Sequence, residues 1–234
     1  MSTARPVIWW DFDATLVSRP SMWTEVAATL LDREVAGHGI SLETLAPHVW
    51  SGMPWQRADY AHPELSTPRL WWDAVNQRYA EIFATLGHPH AATPDALASL
   101  RADILTGSRY RVFDDVLPAL QRSREAGWRN IMVSNHIPEL AQLVGAVGLA
   151  AHFDAIVSSG VVGYEKPHRR LFEAALQHVR PGEEVWMIGD NVDADCHPVC
   201  ALGMNAVLVR HPKAGTFTRQ AADLLEALSL VEAG

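Results

Sequence analysis

Two carboxylates follow a short apolar run near the start of the chain, with Asp11 and Asp13 coming directly after residues 7–10. Four consecutive apolar residues predict a buried β-strand. At the carboxyl end of such a strand, where open α/β sheets bind ligands, one carboxylate can act as a nucleophile and another can transfer a proton. Because aspartate is also common at caps and in turns, a structural role for both residues is the alternative at this point.

A hydroxyl and an amide follow a second apolar run, since Ser134 and Asn135 come directly after residues 130–133. A helix is expected to begin soon afterwards, near Pro138. Polar side chains and backbone N–H groups close to a helix start can bind a phosphate-like anion. Ser-Asn is also a common cap or turn pair, so this motif is weak when taken alone.

Lys166 is one of two lysines among the 19 basic side chains, the other being Lys213. It follows a third apolar run and precedes a helix that Pro167 can begin. A compact ammonium group beside a phosphate or a carboxylate explains the choice of lysine better than a solvated surface position does, because lysine and arginine are not interchangeable in such sites. An exposed surface lysine is the alternative.

Three further acidic residues, Asp190, Asp193 and Asp195, gather after the apolar run at residues 185–188. Together with the first two aspartates they offer a set of oxygen ligands suited to a hard divalent cation such as Mg²⁺. Carboxylates this numerous repel one another strongly without a cation. A solvated acidic loop that caps the next helix is the alternative.

The elements that position these motifs are predicted by alternating short apolar runs and helical segments from Arg109 onward. This alternation is typical of a parallel sheet covered by helices on both faces. The predicted strands are residues 7–10, 130–133, 155–158, 185–188 and 206–209. The sequence therefore predicts an α/β fold, with residues 1–16 and 109–234 forming its core.

Residues 17–108 lack this alternation, and their apolar residues recur at helical spacing, as in Val26 and Leu30. They predict an all-helical inserted domain of about four helices separated by Gly and Pro turns. Most tryptophans of the insert are expected in its core, with one or two facing a ligand. These tryptophans are Trp23, Trp50, Trp55, Trp71 and Trp72.

The amino-acid composition and net charge limit the kinds of molecule that the chain is expected to bind. The chain has 234 residues, 48% of them hydrophobic, and a net charge of −8, which argues against sequence-independent binding to nucleic acid or to anionic lipid. No export signal and no apolar run of membrane-spanning length is visible, so a cytoplasmic location is expected. Cys196 and Cys200 form no disulfide framework, and a zinc site with His197 would lack a fourth ligand, so a buried helix face is favoured.

The motifs taken together resemble those of the haloacid dehalogenase-like hydrolase superfamily, in order and along the whole chain. The matching segments are Asp11-Phe12-Asp13-Ala14-Thr15-Leu16, Ser134-Asn135, Lys166-Pro167 and Gly189-Asp190-Asn191 with Asp195. The resemblance implies a Rossmann-like core with an inserted helical cap of the C1 type. Ala14 departs from the glycine frequent in the family, and it is expected to be tolerated with a negative φ.

Residue roles are implied by the same resemblance. Asp11 is expected to be the nucleophile that forms an aspartyl phosphate, and Asp13 the general acid and base. Ser134 and Lys166, with Asn135 beside them, are expected to hold the phosphoryl oxygens. The implied ligands of Mg²⁺ are Asp11, the backbone carbonyl of Asp13, and Asp190. Thr15 and Asp195 are expected to support the site, Asp195 through water or by holding Lys166.

The function expected from this resemblance is hydrolysis of a small phosphorylated metabolite by a Mg²⁺-dependent phosphatase. Arg19, just after the first motif, is the predicted specificity residue, able to pair with a second anionic group of the substrate; an exposed loop arginine is the alternative. A sugar phosphomutase on the same core remains open, and a 2-haloacid dehalogenase or a non-catalytic binding protein is less favoured. Phosphonate cleavage through a cap lysine is excluded, because residues 17–108 contain no lysine.

Overall fold

The computed structural model describes residues 6–51, 53, 60–210 and 217–234. The strands of this part of the chain are β1 (Val7–Trp10), β2 (Val17–Ser18), β3 (Arg111–Val112), β4 (Arg129–Ser134), β5 (Ala155–Ser158), β6 (Val185–Gly189), β7 (Asn205–Val209) and β8 (Gln220–Ala221). Its helices are α1 (Met22–Glu34), α2 (Leu42–Val49), α3 (Pro68–Thr85), α4 (Pro94–Ile104), α5 (Val116–Glu125), α6 (Leu140–Ala146), α7 (Ser159–Val162), α8 (Arg169–Leu176), α9 (His197–Ala201) and α10 (Leu224–Ala233).

Six of the strands form one sheet in the order β5-β4-β1-β6-β7-β8, and every neighbouring pair is parallel. The five predicted strands are all present, so the predicted α/β fold is confirmed. The sixth strand, β8, is not predicted, because two residues are too few to show a periodicity. Since β1 lies between β4 and β6, the residues that follow these three strands meet at one edge of the sheet.

The central strand β1 is buried on both of its faces, and its four side chains are fully buried. Ile8 and Trp10 share a hydrophobic cluster with α5, α6 and α10, whereas Val7 and Trp9 share the other cluster with α8 and α9. Successive side chains of a strand point to opposite faces, so burial of both faces requires a continuous apolar run. Cys196 is buried in the second cluster, as expected.

Between β2 and β3 the chain carries the four helices α1 to α4 among its described residues, as predicted for the insert. β2 pairs with β3 in an antiparallel ladder, so the two ends of the predicted insert lie side by side. The all-helical prediction is wrong at Val17 and Ser18, because a two-residue strand leaves no periodic signal. The division into core and inserted domain stays a prediction.

The tryptophans of residues 17–108 are mostly buried, as expected for core side chains. Trp23, Trp71 and Trp72 are buried, and Trp50 is 51% exposed. Trp55 lies outside the described residues, as does Lys213. No helix within the described ranges combines the length and the apolar character needed to span a membrane.

Two helices begin later than their prolines suggest. α6 begins at Leu140 rather than near Pro138. α8 begins at Arg169 and not at Pro167, because the side chain of His168 accepts a hydrogen bond from the Arg170 backbone N–H and caps the helix.

Candidate active site

The first motif leaves the sheet in a tight turn directly after β1. The Ala14 N–H donates to the Val17 carbonyl at 2.8 Å, and the Leu16 N–H donates to the Phe12 carbonyl at 2.8 Å. Ala14 has φ +58°, so the expectation of a negative φ is wrong. The turn needs the left-handed conformation here, and alanine adopts it at a cost of about 1–2 kcal/mol.

Asp11 is buried at the centre of the candidate site and accepts hydrogen bonds on both carboxylate oxygens. Its Oδ1 accepts from Lys166 Nζ at 2.7 Å and from Ser134 Oγ at 3.0 Å. Its Oδ2 accepts from Thr15 Oγ1 at 3.2 Å. Three residues predicted from separate motifs therefore converge on the predicted nucleophile.

Lys166 is buried, and its ammonium group donates three hydrogen bonds. Besides Asp11, it donates to Asp195 Oδ1 at 2.6 Å and to the Val133 carbonyl at 3.1 Å. Burial alone would lower the pKa of Lys166, but Asp11 and Asp195 outweigh it and raise the pKa above its ordinary value. The side chain is therefore a fixed positive charge beside Asp11.

Asn135 contacts the backbone of Lys166 with both ends of its amide. Its Oδ1 accepts from the Lys166 N–H at 2.6 Å, and its Nδ2 donates to the Lys166 carbonyl at 3.0 Å. This pair of bonds fixes the loop that carries the lysine. The predicted contact between Asn135 and phosphoryl oxygens stays a prediction.

Three carboxylates, from Asp11, Asp190 and Asp195, each place an oxygen within 4.8 Å of the others. Burial, with Asp11 and Asp195 nearby, raises the pKa of Asp190 to about 7. Asp193, which the resemblance leaves without a role, is exposed. A compact set of oxygen donors with excess negative charge fits a hard divalent cation of the Mg²⁺ type.

Within this acidic cluster, both carboxylate oxygens of Asp195 accept hydrogen bonds from the protein. One oxygen accepts from Lys166 Nζ, and the other accepts from the Asn191 N–H at 3.1 Å. Gly189 explains the close packing, because a Cβ there would lie 2.2 Å from Asp195 Oδ2. The geometry therefore places Asp195 as a partner that holds Lys166, and the assignment of Asp11 and Asp190 as cation ligands stays a prediction.

Asp13 lies beside a cavity of about 230 Å³ whose walls include Pro20, Met22, Trp23 and Trp50. Its side chain is 45% exposed and contributes to the lining of this cavity. Burial and the neighbouring Asp11 raise the pKa of Asp13 to about 7. A carboxyl group with such a pKa can donate or accept a proton near neutral pH.

Arg19 lines the same cavity, but its side chain is 2% exposed and its guanidinium is bound by the protein. It pairs with Asp103, donates to the Asp103 carbonyl at 3.1 Å, and donates to Glu25 at 3.4 Å. The alternative of an exposed loop arginine is therefore wrong. The predicted pairing of Arg19 with a substrate anion stays a prediction, and it would require these bonds to be exchanged.

His136 is a site residue that the sequence does not single out. Its Nδ1 accepts a hydrogen bond from the Ile137 N–H at 2.9 Å, and its Nε2 lies 3.5 Å from Asp13 Oδ2. Burial lowers the pKa of His136 to about 4, so the ring is neutral at physiological pH. Its position directly after Ser134 and Asn135 is the signal from which it could have been found.

A buried contact between residues 60–65 and the loop before Lys166 is also absent from the sequence prediction. His62 Nε2 lies 3.0 Å from Glu165 Oε1, and both side chains are fully buried. The His62 N–H donates to the Gly163 carbonyl at 2.8 Å. A segment of the predicted insert therefore packs directly against the loop that carries the lysine.

A comparison with models of known protein families identifies the family of this chain. The model of the haloacid dehalogenase-like hydrolases matches residues 6–197, which include all four motifs. The chain belongs to the haloacid dehalogenase-like hydrolase family. The resemblance inferred from the motifs is thereby confirmed, and the protein is an enzyme of this hydrolase family.

Relatives agree with this assignment. Human haloacid dehalogenase-like hydrolase domain-containing protein 3 is 29% identical over 185 residues, covering 76% of this chain and 72% of the relative. A phosphoserine phosphatase of Thermus thermophilus is 32% identical over 157 residues, covering 65% of this chain and 61% of the relative. Hydrolases named as phosphatases are therefore among its relatives.

Solved structures show the same fold. The magnesium-bound putative hydrolase YfnB from Bacillus subtilis has a TM-score of 0.73 at 16% identity, covering 98% of this chain and 99% of the other. Several L-2-haloacid dehalogenases are also among the structural neighbours. At these identities the likeness establishes the fold and leaves the reaction to the residues of the site.

Proposed function

We propose that this chain is a Mg²⁺-dependent phosphatase that hydrolyses a small phosphate monoester through an aspartyl-phosphate intermediate. The observation that carries the proposal is the environment of Asp11. Its carboxylate is held by Lys166 and Ser134, lies within the acidic cluster that includes Asp190, and is followed two residues later by Asp13 at the cavity.

In the first half of the reaction, an Asp11 oxygen attacks phosphorus as the bond to the leaving oxygen breaks. Asp13 donates its proton to that oxygen, so the leaving group departs as a neutral alcohol. In the second half, Asp13 accepts a proton from water, and the water attacks the phosphoryl group. Inorganic phosphate and the original Asp11 carboxylate are the products.

The remaining residues of the site would neutralise negative charge and position the phosphoryl group. Lys166 and Ser134, which contact Asp11, are placed to donate to the phosphoryl oxygens when substrate binds. Asp11, Asp190 and the backbone carbonyl of Asp13 would hold Mg²⁺, which supplies positive charge that lets two anions approach each other. Thr15 supports the pair, because its hydroxyl lies 3.3 Å from Asp190 Oδ1 as well as near Asp11.

Residues 17–108 are proposed to act as a cap that covers the cavity and contacts the leaving group. Two cap residues, Trp72 and Arg101, bond to Glu139 of the core at 3.0 Å and 2.8 Å. With the contact between His62 and Glu165, these bonds place the helices against the sheet edge that carries Asp11. A closed cap would exclude water from the first step.

Dehalogenation is the less favoured reaction, although dehalogenases share the fold. It requires neither a metal nor an acid two residues after the nucleophile, whereas this chain has both Asp13 and the acidic cluster. Phosphoryl transfer to a sugar uses the same residues as hydrolysis. Its product is an isomeric sugar phosphate, so product analysis separates the two reactions.

The test is release of inorganic phosphate from p-nitrophenyl phosphate and from a panel of phosphorylated metabolites, with Mg²⁺ and after chelation. Asp11→Asn is expected to keep the fold, because the amide has nearly the same shape, and to lower turnover at least a thousandfold. Turnover that survives Asp11→Asn, or that is indifferent to chelation, would contradict the proposal.

A further inference from the structure

Asp13 lines two described cavities, of about 230 Å³ and about 30 Å³, and only the larger has room for the body of a leaving group. Placing the leaving group there rests on the function proposed above, because Asp13 can protonate the leaving oxygen only at hydrogen-bond distance. The lining of the larger cavity includes the apolar or aromatic side chains of Pro20, Met22, Trp23 and Trp50, together with Arg19 and two serines. We call this space the leaving-group cavity.

Because Arg19 is already paired, the charges around the leaving-group cavity do not suit a second anionic group, which is the opposite of the role predicted for Arg19 from the sequence. Among the described residues that line it, Arg19 alone is cationic, and it is neutralised by Asp103 and Glu25. Asp13 itself contributes a carboxyl group. Against the described lining residues, a substrate carboxylate would therefore lie beside an acidic residue and meet no cation that lacks a protein partner, at a large desolvation cost.

Trp50 supports an apolar occupant. It is 51% exposed at the cavity, whereas Trp23 in the same wall is 8% exposed. An aromatic ring in this position can cover a flat or apolar body and release water from both surfaces.

We propose that the natural substrate is the phosphate monoester of an uncharged alcohol whose body is apolar or aromatic. The leaving oxygen lies at Asp13, and the body of the alcohol packs between Met22, Trp23 and Trp50.

A matched set of three substrates tests this proposal, namely benzyl phosphate, 4-carboxybenzyl phosphate and ethyl phosphate. The first two differ by one negative charge, and the third lacks the ring. We expect kcat/KM for benzyl phosphate to exceed that of either other substrate at least tenfold. Equal values for the benzyl and carboxybenzyl esters would overturn the proposal while phosphate release itself continues. No release from any ester, p-nitrophenyl phosphate included, would overturn the phosphatase assignment and this proposal together.

Two variants assign the preference to named side chains. Trp50→Ala is expected to reduce the preference for benzyl over ethyl phosphate at least threefold, whereas Leu42→Ala, which removes a side chain of similar exposure outside the cavity wall, leaves it unchanged. Asp103→Asn removes one of the carboxylates that neutralise Arg19, so it is expected to raise kcat/KM for the carboxybenzyl ester relative to benzyl phosphate. No change of either preference would overturn the assignment.

The imidazole ring of His136 carries its proton on the nitrogen that faces Asp13. Because Nδ1 accepts the Ile137 N–H, the proton of the neutral ring lies on Nε2. This Nε2 is buried, has no hydrogen-bond partner among the residues that the structure describes, and lies 3.5 Å from Asp13 Oδ2. The ring is held edge-on against Phe12, with centroids 5.6 Å apart.

We infer that His136 is a positioning residue for Asp13. A hydrogen bond from Nε2–H to Oδ2 fixes the rotation of the carboxyl group, so that Oδ1 carries the proton toward the leaving oxygen. Hydrogen bonds of this kind are often long in ligand-free geometry and shorten when substrate is bound.

The test is the dependence of rate on the leaving group. p-Nitrophenolate leaves with little help from an acid, whereas benzyl alcohol needs the proton of Asp13. His136→Phe is expected to lower kcat for benzyl phosphate at least tenfold more than for p-nitrophenyl phosphate. His136→Gln, whose amide N–H can occupy the place of Nε2–H, is expected to restore most of the loss. Equal losses on both substrates in a folded variant, or no rescue by glutamine, would overturn the inference.

Discussion

Lys166 contacts acceptors that follow or belong to three neighbouring strands. Asp11 follows β1, the Val133 carbonyl belongs to β4, and Asp195 follows β6. An ammonium group donates three bonds in different directions, which the planar fork of an arginine cannot reproduce at one point. In the proposed reaction, Asp195 would therefore keep Lys166 neutralised and in place while Asp11 becomes phosphorylated.

Asp195→Asn is therefore expected to lower the rate of the reaction. The variant keeps the size of the side chain but weakens its bond to Lys166, and we expect kcat for p-nitrophenyl phosphate to fall about 10- to 100-fold. Asp193→Asn is the matched control, because Asp193 is exposed in the same turn and should leave kcat within about twofold. Equal effects of the two variants would show that Asp195 has no special role.

Strands with three or more apolar residues in sequence could be predicted, because burial of both sheet faces leaves a continuous apolar run. The two-residue strands β2, β3 and β8 could not, since pairing partners and not residue pattern define them. The same limit applies to the site. Residues that follow neighbouring strands could be predicted to lie together, because the strand order brings them to one edge of the sheet. The contact between His62 and Glu165 could not, since the two residues are far apart in the chain and neither belongs to a recognisable sequence motif.

The contact between the helical segment and the Lys166 loop depends on a glycine. Gly163 has φ +81°, and a Cβ there would lie 2.6 Å from the Pro63 Cα. Gly148 offers a control, because it has φ +82° and open space around it. Both positions share the backbone cost of a side chain, but at Gly163 the side chain would also separate the two segments.

Gly148→Ala is therefore expected to lower the free energy of unfolding by about 1 kcal/mol, from its left-handed backbone alone. Gly163→Ala is expected to lower it by about a further 1–3 kcal/mol and to reduce kcat/KM, because Lys166 lies three residues later. Chemical denaturation and steady-state kinetics measure both quantities. If the two variants have equal stability and activity, the packing of Pro63 against Gly163 contributes nothing.

The whole molecule carries a net charge of −8 and concentrates several carboxylates at one edge of its sheet. Burial raises the pKa of both Asp13 and Asp190 from 3.8 to about 7. The folded state therefore binds protons that the unfolded chain has already lost above pH 4. Their contribution to stability is present below that pH and is lost as the pH rises through about 7. The pKa of His136 is lowered from 6.5 to about 4, so the folded state binds fewer protons there than the unfolded chain does. The contribution of His136 to stability therefore rises with pH between about pH 4 and 6.5.

Binding of Mg²⁺ is expected to counter this loss of stability. The difference in Tm between the metal-bound and the metal-free protein isolates this effect, because titratable groups that do not contact the cation contribute equally to both. Because Mg²⁺ competes with a proton on Asp190, we expect the Mg²⁺ concentration that produces a given rise in Tm to be about tenfold higher at pH 6 than at pH 8. Asp190→Asn should remove most of the rise at pH 8, whereas Asp193→Asn should keep it. Thermal denaturation over a Mg²⁺ series at both pH values measures this without any substrate. A rise in Tm that is independent of pH, or that survives in Asp190→Asn, would place the cation elsewhere on the molecule.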